Sequence, residues 1–295
     1  MVKQKLLILR RLCVVNKEWQ YHNPQFEYEN DFSDIGWPWS GHRYFAYDLT
    51  CNTKPKVIVE LGTHKGTSFF SFCQAVKDKK LSTKICAVDT WKGDKHAGFY
   101  GDNIYKGVQD IIKKNYAGIK TVLLRMTFDE AVSKFQDKSI DILHIDGLHT
   151  YEAVKHDFEN WISKVADNGI VLLHDIAVIR DNFGVFRVWE EVKKAYPHLE
   201  FMHSFGLGVL YKSNEHYVND LEKEWQAHYA CLNDEVKSGK IISLEKDANQ
   251  ITDLKKQVAK NEAQLKNIYK SKGWRTIMVI RKTADKFRKL AGIKK

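Results

Sequence analysis

The 295-residue chain has no run of about 18 consecutive apolar residues, the length a spanning helix needs, so its sequence offers no membrane-crossing segment. It has no CxxC pair. Its five cysteines, Cys13, Cys51, Cys73, Cys86 and Cys231, are scattered and odd in number, which argues against a disulfide framework or a zinc knuckle and for reduced thiols packed as small hydrophobes. Nor does an export leader stand out: the apolar core Leu6–Leu9, set among Lys3, Lys5, Arg10 and Arg11, is shorter than the roughly 7–15 residues such a segment needs, so the cytoplasm is the expected compartment. A basic body is absent too. The formal net charge is +10, but residues 266–295 hold eleven Lys and Arg against one acid, Asp285, so residues 1–265 balance to zero. A neutral body lacks the electrostatic footprint of a nucleic-acid surface, and no nucleic-acid partner is expected.

What is present starts with an aromatic-rich stretch without clear period, residues 1–54, read as an irregular extension or lid around Trp37-Pro38-Trp39-Ser40-Gly41-His42-Arg43. From Lys56 strand and helix signals alternate. Short apolar runs at 57–61, 85–89, 121–124, 140–145 and 170–173 read as strands. Between them 68–76, 104–116 and 128–135 read as helices, and Tyr151, Val154, Phe158, Trp161, Ile162 and Val165 mark one face of a further helix that Gly169 ends. Residues 185–195 read as helix, and 199–211 as a terminal antiparallel hairpin. This alternation implies βαβ units, a mainly parallel sheet and a ligand site at the carboxyl ends of its strands. The α/β domain is thus bounded at 55–213, followed by a helical and coiled-coil segment, 214–271, and a basic amphipathic tail, 272–295.

In the third segment Leu244, Ile251, Val258 and Leu265 recur every seven residues, with Leu254 and Ile268 at companion positions and the polar Asp247 and Asn261 interrupting the second seam position. That pattern predicts self-association through 244–268. In the tail, Trp274, Ile277, Met278, Ile280, Phe287 and Leu290 lie among cations, the composition of an interfacial helix drawn to anionic lipid.

The dinucleotide fingerprint GxGxxG is missing from the first strand-to-helix turn. The spacing there is Glu60-x-Gly62-x-x-x-Gly66-x-Ser68, which argues against a cofactor held by its pyrophosphate. Glu60 suits a cationic amino-acid moiety, and Asp89, ending the second strand, can accept the hydroxyls of a ribose. The pair is expected to grip opposite ends of S-adenosylmethionine, with Trp91, Thr127 and Phe128 framing its adenine. Asp146 and His149 follow the fourth strand, His174 and Asp175 the fifth. Two acids and two histidines at adjacent strand ends could bind a hard divalent cation, Mg first among them, and supply a base. A neutral sugar hydroxyl needs such help: a metal lowers its pKa, and a His titrating near neutrality takes its proton.

Residues 60–68, 89–101 and 144–157 resemble the class I methyltransferase domains of bacterial glycan-assembly proteins, often fused to glycosyltransferases; the likeness takes in residues 37–43 and 205–208. It implies a Rossmann-like seven-stranded sheet with the last strand antiparallel, and a sugar or glycan acceptor. The catalytic end is similar to metal-dependent macrolide-sugar O-methyltransferases. That likeness implies Asp146 and Asp175 as metal ligands and His149 as base; His174 stands where that family has an acid, and an imidazole also ligates metals. The stretch 268–275, followed by a basic helix, resembles the endings of surface-polysaccharide glycosyltransferases and implies a seat on the inner face of the membrane.

Overall fold

The computed structural model describes residues 19–30, 38–213, 223–234, 254–264 and 273. The chain divides into two compact units, residues 1–237 and 238–295. In the second, residues 254–264 are helical, with Leu254 and Val258 largely exposed. Asn261 lies exposed in the same helix; the remaining seam positions, Leu244, Asp247, Ile251, Leu265 and Ile268, lie outside the described residues, as does the tail apart from Gly273. Among the described residues no helix is long and apolar enough to cross a membrane.

The first unit is built on a seven-stranded sheet in the order β5-β2-β1-β6-β7-β9-β8. The strands are β1 (Val57–Leu61), β2 (Lys84–Asp89), β5 (Lys120–Arg125), β6 (Ile140–Ile145), β7 (Val165–His174), β8 (His198–Phe201) and β9 (Leu207–Tyr211). The pairs β5–β2, β2–β1, β1–β6 and β6–β7 are parallel, and β9 runs antiparallel to both β7 and β8. The expected Rossmann-like architecture, with its final strand antiparallel, is therefore present. Chain order reverses across β1, whose neighbours are β2 and β6, so a crevice opens at the carboxyl ends of these strands.

The strands read as near-continuous apolar runs because both faces are covered. On one face Ile58, Ile85, Ala87, Ile142 and Leu172 meet α1 (Arg43–Thr53), α2 (Thr67–Asp78), α3 (Asp102–Asn115) and the helical residues Trp225 and Tyr229. On the other, Val59, Leu61, Val88, Leu143 and Val171 meet α4 (Phe128–Val132), α5 (Tyr151–Trp161) and α6 (Val185–Val192). Strand alternation fixes which polar residues enter the first face: Glu60, His144 and His174 share the side of Ile58, Ile142 and Leu172, and Glu60 and His144 are directly paired across β1 and β6.

Two readings of the sequence are corrected, and one element is added. Residues 43–53, expected to be irregular, form α1. It is buried from Phe45 through Cys51, so it shows no one-sided apolar stripe to read; its polar members are bonded instead, Thr50 Oγ1 donating to the Ala46 carbonyl and Asp48 accepting from His22 and Tyr229. The helix expected to reach Val165 stops at Trp161. A 3-10 turn, Ile162–Lys164, follows, and Val165 already begins β7, paired with Ile140 before the register shifts to Ile142 opposite Ile170. A buried Val at helical spacing is equally satisfied by a strand core, and Val165 is fully buried there. Finally, a small antiparallel hairpin, β3 (Gly93–Asp94) and β4 (Gly98–Phe99), stands between β2 and α3, too short for any period to reveal.

Candidate active site

The strand ends converge on a cavity of about 590 Å³. Its walls include Gly62, Gly66, Ser68, Asp89, Thr127, Phe128, Asp146, His149, His174 and Asp175 among the residues singled out in the sequence. Glu60 and Trp91 are not among its walls.

The β1 side is a turn held by backbone bonds. Gly62 N–H donates to the Val88 carbonyl and Asp146 N–H to the Leu61 carbonyl, tying the tips of β1, β2 and β6 together. Gly62 has φ +88°, and a Cβ there would lie 2.0 Å from the Asp146 carbonyl oxygen, so only glycine lets the two tips pass. Asp89 closes the turn from below. Its Oδ2 accepts the backbone N–H groups of Thr63 (2.9 Å) and His64 (2.8 Å), and its Oδ1 accepts that of Trp91 (2.6 Å). The sequence assigned this acid to a ribose; in the fold it first organises two loops. A carboxylate has about four lone-pair sites, so Asp89 keeps acceptor capacity at the cavity wall. Trp91, expected beside the adenine, is fully buried, its indole donating to the His64 carbonyl and its ring against Tyr105. Thr127 caps α4 in a capping box with Glu130, which places Phe128 at the wall against Gly147.

Glu60 takes a different role from the expected one. It is fully buried, and its Oε1 is 3.0 Å from His144 Nδ1. His144 Nε2 accepts the indole N–H of Trp39 at 2.9 Å, which leaves Nδ1 as the protonated nitrogen that donates to Glu60. Trp39 lines the cavity. The acid of the first turn thus reaches the cavity through two other side chains, because alternation on β1 aims it at the paired histidine of β6.

The β6–β7 side gathers charge. His149 Nε2 lies 2.8 Å from Asp175 Oδ2 and 3.5 Å from Asp146 Oδ1; His174 Nδ1 lies 3.4 Å from Asp146 Oδ1 and 3.5 Å from Asp175 Oδ1. Burial of the His149 ring opposes its protonation, but hydrogen bonds and charge from Asp146 and Asp175 outweigh it and push its pKa up to about 10. His174 is raised in the same way, its burial overcome by the charges of Asp146 and Asp175. Asp146 is driven well below the usual carboxylate range: burial works against ionisation, and His174 and His149 prevail. His149 is therefore a base near neutrality only when something other than its own proton neutralises the two acids. Asp146, His149 and Asp175 present ligand atoms all within 4.8 Å of one another, and Asp175 Oδ1 and His149 Nδ1 are buried without a hydrogen-bond partner. Two hard oxygens and one imidazole suit a divalent cation. This grouping takes in His149 where the sequence placed His174 among the ligands.

Several cavity residues escaped the sequence reading. His96 and Phe183 stack at 4.8 Å, Phe183 lies parallel to the His149 ring at 4.8 Å, and the Arg180 guanidinium sits 3.9 Å from the Phe183 centroid. Asp94 Oδ1 accepts the N–H groups of His96 and Ala97. The glycines at 93, 98 and 101 signalled a turn at 93–101; nothing in the loop 175–184 marked Arg180 or Phe183.

Residues 59–176 match a family model described as a methyltransferase domain. Over 184 residues, 62% of its length, this chain is 46% identical to an uncharacterized protein of Sinorhizobium fredii, and it spans only 20% of that protein's length. A protein from Corynebacterium glutamicum has a similar fold at 12% identity, with a TM-score of 0.50 over 72% of this chain and 100% of that one. An O-methyltransferase from Bacillus cereus, crystallised in complex with SAH, is 12% identical, with a TM-score of 0.44 over 70% of this chain and 89% of that one.

Proposed function

We propose that this chain is an S-adenosylmethionine-dependent O-methyltransferase acting on a sugar hydroxyl of a surface glycan or glycan precursor. One observation carries the reading: the glycine turn with Asp89 and the Asp146–His149–Asp175 cluster open into the same cavity. Methyl transfer needs donor and acceptor held at near-attack distance in one water-excluding space. A volume of about 590 Å³ suits a nucleoside-sized ligand with room for an acceptor group.

Gly62, Gly66 and Ser68 would let the donor's amino-acid end approach the first turn of α2, Asp89 would use its remaining acceptor capacity on a ribose hydroxyl, and Thr127 and Phe128 would border the adenine. When bound, S-adenosylmethionine supplies an electrophilic methyl group. The chain's own task is the acceptor proton. Asp146, Asp175 and the imidazole of His174 would hold a divalent cation, which would supply positive charge beside the acceptor hydroxyl and leave His149 as the base. With the acids neutralised, His149 can receive the hydroxyl proton while its ring stays stacked on Phe183. The composition of 272–295 supports seating on anionic lipid at the cytoplasmic face, and the heptads of 244–268 support pairing of copies.

Calorimetry with S-adenosylmethionine, together with mass spectrometry of host surface glycans with and without this protein, tests the proposal. The expected result is saturable binding and a methyl ether lost with the protein. Absence of binding overturns the donor; binding without any change in the glycans overturns the acceptor.

A further inference from the structure

Phe205 belongs to a motif read in the sequence that the site description does not use. It lines the cavity, yet its side chain stays half exposed, and it lies beyond the matched methyltransferase residues. Its backbone is left-handed, φ +68°, between Ser204 at +49° and Gly206 at +90°. A bulky residue is rarely found there, because its Cβ crowds the carbonyl oxygen. Burial does not repay that strain, since the ring remains in reach of solvent. A turn of this shape is built more easily with glycine or asparagine. The half-exposed phenyl ring thus leaves apolar surface open to the cavity it lines.

The turn is held from several sides. The Ser204 carbonyl accepts from His42 Nε2 and His174 Nε2, each at 3.2 Å. The Phe205 carbonyl accepts Ala177 N–H at 2.8 Å, and the Gly206 carbonyl accepts Asp175 N–H at 3.0 Å. Asp175 is itself left-handed, φ +66°. Two left-handed segments are thus bonded back to back, and the bonds fix the Phe205 backbone beside Asp175, a member of the acid–histidine cluster. Two further cavity-lining rings lie against the histidines of the cluster, Trp39 at 6.2 Å from the His174 ring and Phe183 at 4.8 Å from that of His149.

We propose that Phe205 is the acceptor platform, a specificity-determining residue on which the apolar C–H face of a pyranose ring packs so that an edge hydroxyl points to Asp175 and His149. This rests on the sugar O-methyltransferase reading above. A flat aromatic ring suits it: an apolar face binds an apolar sugar face, while the hydroxyls of the sugar are left to the polar cluster beside it.

The test uses the full chain saturated with SAH and a panel of methyl glycosides (methyl α-glucopyranoside, α-mannopyranoside, α-rhamnopyranoside and α-fucopyranoside), read by saturation-transfer NMR. At least one glycoside is expected to receive saturation from the wild-type protein. Phe205→Ala should weaken it by roughly tenfold, Phe205→Tyr should retain it, and SAH affinity should be the same in all three. Phe205→Gly controls for folding: it should lose the glycoside as Phe205→Ala does but melt at a higher temperature than Phe205→Ala, because glycine accepts the left-handed backbone. Equal glycoside binding by Phe205→Ala and wild type overturns the proposal. So does a wild-type protein that binds SAH but no glycoside, an outcome that leaves the methyltransferase reading standing; failure to bind SAH removes that reading itself.

Discussion

Asp89 at the tip of β2 and Asp175 at the tip of β7 are both buried aspartates facing one cavity, yet the fold uses them differently. Asp89 spends its carboxylate on three backbone N–H groups, and so makes the turn at Thr63–His64 and the turn at Trp91 one rigid piece. Asp175 faces two imidazoles and leaves Oδ1 buried without a hydrogen-bond partner. The first acid builds the shape of the donor side; the second keeps charge ready on the acceptor side. Backbone donors, not the residue type, decide between these roles.

The sharpest way to break that contrast is Asp89→Ala. Three amides lose their acceptor, each leaving a cost of roughly 1–3 kcal/mol where it stays dry. The expected outcome is a fall of several kcal/mol in stability by denaturant unfolding, together with loss of S-adenosylmethionine binding by calorimetry. Asp89→Asn keeps one oxygen and should fall between. An Asp89→Ala protein as stable as wild type would show that the amides are met elsewhere and that the acid is no keystone.

Asp175→Asn should do the converse. Donor affinity and melting temperature stay close to wild type, while turnover falls on the order of 10² to 10⁴-fold, the range for losing an acid–base or charge-stabilising group. Removing one of the two charges that raise His149 should also bring its pKa down from about 10, by roughly one to three units, in an NMR titration of the cation-free protein. An unmoved His149 would assign its elevation to Asp146 alone and end the two-acid description of this side.

Much of this was legible in the sequence. Apolar runs with turn residues between them located the strands of the parallel sheet, because both faces are buried and the residues needed there are the same at each strand. The tips were legible as well, since Gly62, Asp89, Asp146 and His174 stand where a run of apolar residues stops. What could not be read is what depends on partners far away in the chain. Glu60 looks like a ligand for a cation until β6 places His144 opposite it. Trp91 looks like an adenine wall until its indole is seen donating to the His64 carbonyl. Helix α1 has no polar face to give it a period, and Arg180 and Phe183 lie on a loop that needs none.

A third acid extends the comparison, with the smallest expected effect. Asp157, on α5, is 7% exposed and lies under Gly147, where an added Cβ would be 3.5 Å from its Oδ2. Among the described residues it has neither the amides of Asp89 nor the paired imidazoles of Asp175, and burial pushes its carboxyl from 3.8 up to about 7, against the pull of His156. Between those values the folded protein holds a proton that the unfolded chain has released, so stability falls as pH rises through that window. The penalty is absent below about 4 and complete above about 7. Three units correspond to at most about 4 kcal/mol, and relaxation around the charge should leave roughly 1–2 kcal/mol. Asp157→Asn keeps the volume and removes the charge. It should unfold at higher denaturant than wild type at pH 8, match it at pH 4, and flatten the slope between. Parallel slopes for the two proteins would mean that Asp157 carries no buried charge at neutral pH, and that an acid of this domain can lie under the site without either kind of support.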